Sequence, residues 1–187
     1  WQGGRVRLHI GAADWRTNVW VNGQHVGEHV GGSAPFAFEI THALQPGDNA
    51  VIIHCFDDTA SGIQATGKQS HRPESHGAVY TRVTGIWQTA WLERVGSSFI
   101  RGLRITGDPK TGEVEFSAEV DGARPGMQLW VSVLPGEEYR SDTQAFGRTD
   151  ADRLNTRVRL KIQNPIAWSI ENPHLYNAQL QLRDGDE

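Results

Sequence analysis

Sulfur is almost absent from this chain: its 187 residues hold one cysteine and one methionine. Cys55 alone can close no internal disulfide and cannot supply the thiolates of a zinc site. Long apolar runs are also lacking. No stretch of ~18 apolar residues occurs, which excludes a transmembrane helix. Basic charge is not in excess either. Eighteen Lys and Arg against 22 Asp and Glu leave a net charge of −4, which argues against the clustered basic face of a nucleic-acid binder. No signal-peptide pattern opens the chain at Trp1, and an earlier segment could have been removed, so periplasmic, secreted and cytoplasmic locations all stay open.

Glycine, tryptophan and strand patterns are abundant. There are 21 glycines and seven tryptophans. Arg5–Ile10 alternates, with Val6, Leu8 and Ile10 on one face. Val19-Trp20-Val21 runs into Asn22-Gly23, a pair that closes hairpins because both positions take positive φ. Ala37–Ile40 and Ala50–Phe56 read as further strands, with turn chemistry at 45–49 between them. Residues 57–77 break the rhythm: a polar loop of about twenty residues is uncommon in a compact unit and is often functional. Strands are then expected at Ala78–Arg82 and Ile86–Val95. Within the latter, Trp87 and Trp91 stand at even spacing and so face the same side, with Trp91 expected in the core.

Gly96-Ser97-Ser98 is the best linker. Beyond it, strands are expected at Phe99–Ile105, Glu113–Asp121, Met127–Leu134, Leu154–Ile162 and Asn177–Arg183. Short strands separated by turn residues, with no amphipathic helix, read as an all-β chain of two β-sandwiches, residues 1–96 and 97–187. Each is small and buries only about 60% of its unfolded surface.

Three stretches carry a family resemblance: Leu8–Gly27, with Ala13-Asp14-Trp15 and Trp20-Val21-Asn22-Gly23; Tyr80–Glu93, with Thr84-Gly85-Ile86-Trp87; and Trp168–Tyr176, with Glu171-Asn172-Pro173. Together they resemble glycoside hydrolase family 2, the β-galactosidases, β-glucuronidases and β-mannosidases. The resemblance implies an incomplete, N-terminally truncated sugar-binding jelly roll followed by an immunoglobulin-like sandwich. It also implies a partner: a catalytic (β/α)₈ barrel of the same protein that carries both catalytic glutamates. A barrel needs about 250 residues and helix–strand alternation, and this sequence has neither.

No catalytic residue is therefore assigned here. Retaining glycosidases need two carboxyls about 5–5.5 Å apart, and strand neighbours such as Asp57-Asp58 or Glu137-Glu138 point to opposite faces. Asp57-Asp58 is read as ordering the long loop and Glu137-Glu138 as a solvated loop. His71 and His76 share a loop but lack a firm third ligand, so no metal and no cofactor is assigned. His25 and His29 are read as surface residues. The resemblance implies a sugar-pocket edge built from Lys68, Gln69, His76, Tyr80, Arg82, Trp87 and Gln88. In the β-galactosidase branch an acid three residues after the isoleucine binds sugar and a sodium ion. That position is Thr89 here, a departure from the branch. The resulting expectation is a set of non-catalytic accessory, sugar-binding domains of an enzyme that hydrolyses terminal β-linked glycosides. The alternatives are a free carbohydrate-binding module and a structural or adhesion sandwich. Partners are expected to be carbohydrate and the barrel, not nucleic acid or membrane, and oligomerisation is open.

Overall fold

The computed structural model describes residues 3–135 and 145–184. The Glu137-Glu138 pair lies outside the described residues. Among the described residues the chain is all-β, with a single 3-10 turn at Thr41–Ala43. It divides into two compact units, Trp1–Gly96 and Ser97–Glu187.

The first unit contains β1 (Arg5–Ile10), β2 (Ala13–Asp14), β3 (Arg16–Val21), β4 (Gln24–Val30), β5 (Phe36–Glu39), β6 (Val51–Phe56), β7 (Gly85–Ile86) and β8 (Ala90–Val95). They form two antiparallel three-stranded sheets, β5-β1-β8 and β4-β3-β6, and a short β2-β7 pair. Val6, Leu8 and Ile10 from one sheet meet Val19 and Val21 from the other in a common core with Ile40 and Ala43. The alternation in β1 and β3 is the reason: every second side chain points inward. Asn22 and Gly23, at φ 51° and 81°, close the β3–β4 hairpin with Val21 opposite Gln24.

On one flank this sandwich stays open. Leu92 stands opposite buried Leu8, and Val51 opposite buried Val21, yet both are exposed. β6 and β8 are edge strands among the described residues. β6 also turns Ile52 and Phe56 outward, at 60% and 50% exposure.

The second unit contains β9 (Phe99–Gly107), β10 (Glu113–Asp121), β11 (Met127–Pro135), β12 (Ala145–Asp150), β13 (Asn155–Lys161) and β14 (Tyr176–Asp184). Its sheets are β13-β10-β9 and β12-β11-β14. Phe116, Ala118 and Val120 face Leu129, Val131 and Val133 across one core, closed by Val158, Leu160 and Ile162.

Several expectations need correction. Ala78–Arg82 is not a strand: Val79 and Tyr80 make only isolated bridges, to His76 and Gln69. Ile86–Val95 is not continuous, because the ladder breaks between Ile86 and Ala90. Even spacing therefore does not put Trp87 and Trp91 on one side. Trp91 is 45% exposed and stacks on His9 at 4.8 Å between centroids. Leu154 lies just outside β13 and is exposed. His29 is not a free surface residue: it stacks on Phe36 at 4.1 Å.

Candidate functional site

The corner where β2 meets β7 collects the chemistry of the first unit. Asp14 stands opposite Gly85. Its Oδ2 accepts a hydrogen bond of 2.8 Å from Gln69 Nε2. The other end of that amide, Gln69 Oε1, accepts from the Val83 N–H at 2.8 Å. One side chain thus ties the long loop to β2 and to the approach of β7. Burial is the main influence on Asp14 and pushes its carboxyl above the usual carboxylate range. The Gln69 hydrogen bond works against this, and the nearby Asp57 charge works with it.

Gly32 comes close to this carboxylate. A Cβ there would sit 2.6 Å from Asp14 Oδ1, so any larger residue would push the acid away. The Gly32 carbonyl accepts the Trp87 indole N–H at 2.7 Å. The backbone N–H groups of Trp87 and Gln88 share the Ala12 carbonyl at 3.2 and 3.3 Å. Trp87 and Gln88 are thereby fixed beside Asp14, and both remain exposed.

The loop before this corner is held by polar side chains. Asp57 accepts from Gln64 Nε2, and from Thr84 Oγ1 at 3.3 Å. Asp58 Oδ1 accepts the Ala60 and Ser61 N–H groups at 3.3 and 3.1 Å. Both carboxylates therefore order the loop, as the sequence suggests. A short two-way ladder joins Lys68 and Ser70 to Tyr80: Ser70 N–H to Tyr80 O, and Tyr80 N–H to Lys68 O, both 2.7 Å. The Lys68 ammonium lies 5.8 Å from the Tyr80 ring centroid, within cation–π range. Ser70 is fully buried; its Oγ donates to the Glu74 carbonyl at 2.8 Å and lies 3.1 Å from His76 Nδ1.

Six of the seven expected residues fall into two sets, and Arg82 stands apart. Gln69, Trp87 and Gln88 meet at the Asp14–Gly32 corner. Lys68 and Tyr80 brace each other along the loop, and His76 is held in the same loop by Ser70 and Val79. Arg82 is exposed and makes no ion pair among the described residues. Sequence reasoning missed Asp14. It is the sole acid between Leu8 and Gly27, but only its contact with Gln69, far along the chain, marks it as part of a site. Among the described residues, no group of three or more His, Cys, Asp or Glu side chains converges.

In the second unit, Glu171-Asn172-Pro173 is a structural corner. The Asn172 carbonyl accepts the Ser169 and His174 N–H groups at 2.9 and 2.8 Å.

Comparison with known proteins bears on both units. Residues 98–187 match the model of "Glycosyl hydrolases family 2". A beta-galactosidase of Thermoanaerobacter pseudethanolicus is 24% identical over 97% of this chain and 24% of its own length. A beta-galactosidase of Yersinia pestis is 26% identical over 96% of this chain and 18% of its own. The chain spans about a quarter or less of these curated relatives. Among solved structures, an FMN-binding beta-glucuronidase from Facaelibacterium prausnitzii superposes with a TM-score of 0.76 at 22% identity. It covers all of this chain, which matches 28% of its length. A putative beta-galactosidase from Bacteroides fragilis gives 0.75 at 21%, with 100% and 29% coverage. These structures share the fold of both units; the second unit matches glycosyl hydrolase family 2, and curated beta-galactosidases align along nearly the whole length of the chain.

Proposed function

We propose that the two units are non-catalytic accessory domains of a longer retaining glycosidase that hydrolyses terminal β-linked glycosides on a barrel domain. In this reading the first unit, residues 1–96, is a sugar-binding jelly roll, and the second, 97–187, is an immunoglobulin-like sandwich. The observation that carries it is one of coverage: curated relatives named beta-galactosidase align along nearly all of this chain yet are about four times its length or more. The loop supports the reading physically. Its anchors are used up internally, at Asp57, Asp58, Gln69 and Ser70. What they hold toward solvent is Lys68, Tyr80, Arg82, Trp87 and Gln88, two aromatic rings and three polar heads. Rings and polar heads together are the equipment of one wall of a sugar pocket.

Arg82 is the cleanest probe, because its side chain supports nothing within the described unit. In the full-length enzyme, Arg82→Ala should lower kcat/KM on aryl β-glycosides by about 1–3 kcal/mol of transition-state binding and leave the melting temperature unchanged. The 187-residue chain alone should show no turnover. Unchanged kinetics in the variant would remove Arg82 from the site, and turnover by this chain alone would overturn the accessory role.

A further inference from the structure

The outer face of the β12-β11-β14 sheet holds a second chemical cluster, and it does not depend on the reading of the Asp14–Gly32 corner. The opposite side of β11 is committed to the core through Leu129, Val131 and Val133. The outward positions form a grid fixed by register: Trp130 between Arg148 and Gln181, and Ser132 between Phe146 and Gln179. Arg183 joins them from the next row, opposite Gln128. The Arg148 guanidinium carbon lies 4.9 Å from the Trp130 ring centroid, and that of Arg183 lies 4.4 Å away. Gln181 Oε1 holds Arg183 from the side, accepting from Nε at 3.2 Å and Nη2 at 2.6 Å. Phe146 is 66% exposed beside them. The groove between these side chains measures about 570 Å³, within the usual range for small-ligand sites.

Two guanidiniums are thus preorganised around one indole, and neither forms an ion pair with a carboxylate among the described residues. Among the described residues of these rows the one acid is Asp150, two residues from Arg148, and no ion pair joins the two. Fork-shaped donors held in place select planar carboxylates. The flanking glutamines and Ser132 add neutral hydrogen-bonding groups, and Phe146 adds an open ring. Three strands about 4.8 Å apart make a face roughly 10 Å wide. At ~3.3 Å per residue its strands of six to nine residues give that face roughly 200–300 Å², short of the ~800 Å² per partner that a stable protein interface buries, so a short, narrow ligand fits the face better than a folded partner.

We propose that this face binds a short oligosaccharide bearing carboxylates, such as a chain of uronic acids. Its carboxylates sit on Arg148 and Arg183, its hydroxyls meet Gln179, Gln181 and Ser132, and a sugar ring lies against Phe146. Titration calorimetry on the whole 187-residue chain tests this with three probes: trigalacturonate, maltotriose and tri-aspartate. Trigalacturonate should bind with a dissociation constant on the order of 0.1–1 mM, at least about tenfold tighter than the other two. Arg148→Gln and Arg183→Gln should each weaken it about fivefold or more at unchanged melting temperature. If Arg183→Gln unfolds, Arg148→Gln carries the test alone, since the Arg148 side chain is exposed. Equal affinity for maltotriose, equal affinity for tri-aspartate, or undiminished binding in Arg148→Gln would each overturn the proposal.

Discussion

Asp14 illustrates how one residue can be retained against its own solvation. Its carboxyl is raised above the usual carboxylate range by burial first, so the folded state holds the anion at some cost relative to water. The sign follows from linkage. A raised folded-state value means that stability is full below the unfolded value and falls as pH rises through the folded one. Asp14→Asn removes the charge and keeps an oxygen for Gln69. It should raise the melting temperature at pH 7 by about 1–3 °C, with the gain vanishing near pH 4. Thermal scans across that range check it; a loss at neutral pH would mean that the anion is held by more than Gln69. This acid was hard to find because no periodicity marks it. Its position is set by loop residues fifty-five positions away, which a local pattern cannot show.

At the scale of elements, the most legible parts were those governed by alternation and turn chemistry. Val6-Leu8-Ile10 and Val114–Val120 declare their faces, and Asn22-Gly23 declares its turn. The structure gives Asn22 a further duty that its dihedral preference does not announce. Its Nδ2 donates to the Ala43 carbonyl at 2.8 Å and to Asn49 Oδ1 at 2.7 Å, and its Oδ1 accepts the Ala50 N–H at 2.9 Å. One amide therefore joins the hairpin, the 3-10 turn and the start of β6. Asn22→Gly, which keeps the positive φ without strain and removes the amide, should cost about 1–3 kcal/mol, measured by denaturant melting, whereas a turn-only role predicts less than about 1 kcal/mol. The illegible parts were those where side chains, not backbone ladders, hold the chain. Tyr80 alternates like a strand residue, but its own N–H and C=O bond to Lys68 and Ser70, within the same loop. Trp91 looks like core because it is large and strand-borne. It lies outward because Leu92, its neighbour, takes the inward position opposite Leu8.

On the scale of the molecule, each unit assembles its core from its own residues, one around Ile10 and Val19, the other around Phe116 and Leu129. Phe116 is 1% exposed, and Phe116→Ala should destabilise its unit by about 3–5 kcal/mol. Calorimetry should then resolve two transitions, of which the variant lowers one; a single transition moving as a whole would show that the units melt together. The open edge at β6 has a consequence for handling the chain. Val51-Ile-Ile-His-Cys-Phe56 carries no Asp, Glu, Lys or Arg and no proline, the signature of a segment that templates cross-β stacking when its hydrogen-bonding edge is bare. β8 is guarded by Glu93 and Arg94, and β6 has no such gatekeeper. Stored concentrated, the chain should cloud with time and develop dye-binding fibrillar material. Ile52→Lys, at an outward position 60% exposed, should delay the rise in light scattering several-fold without altering the melting temperature.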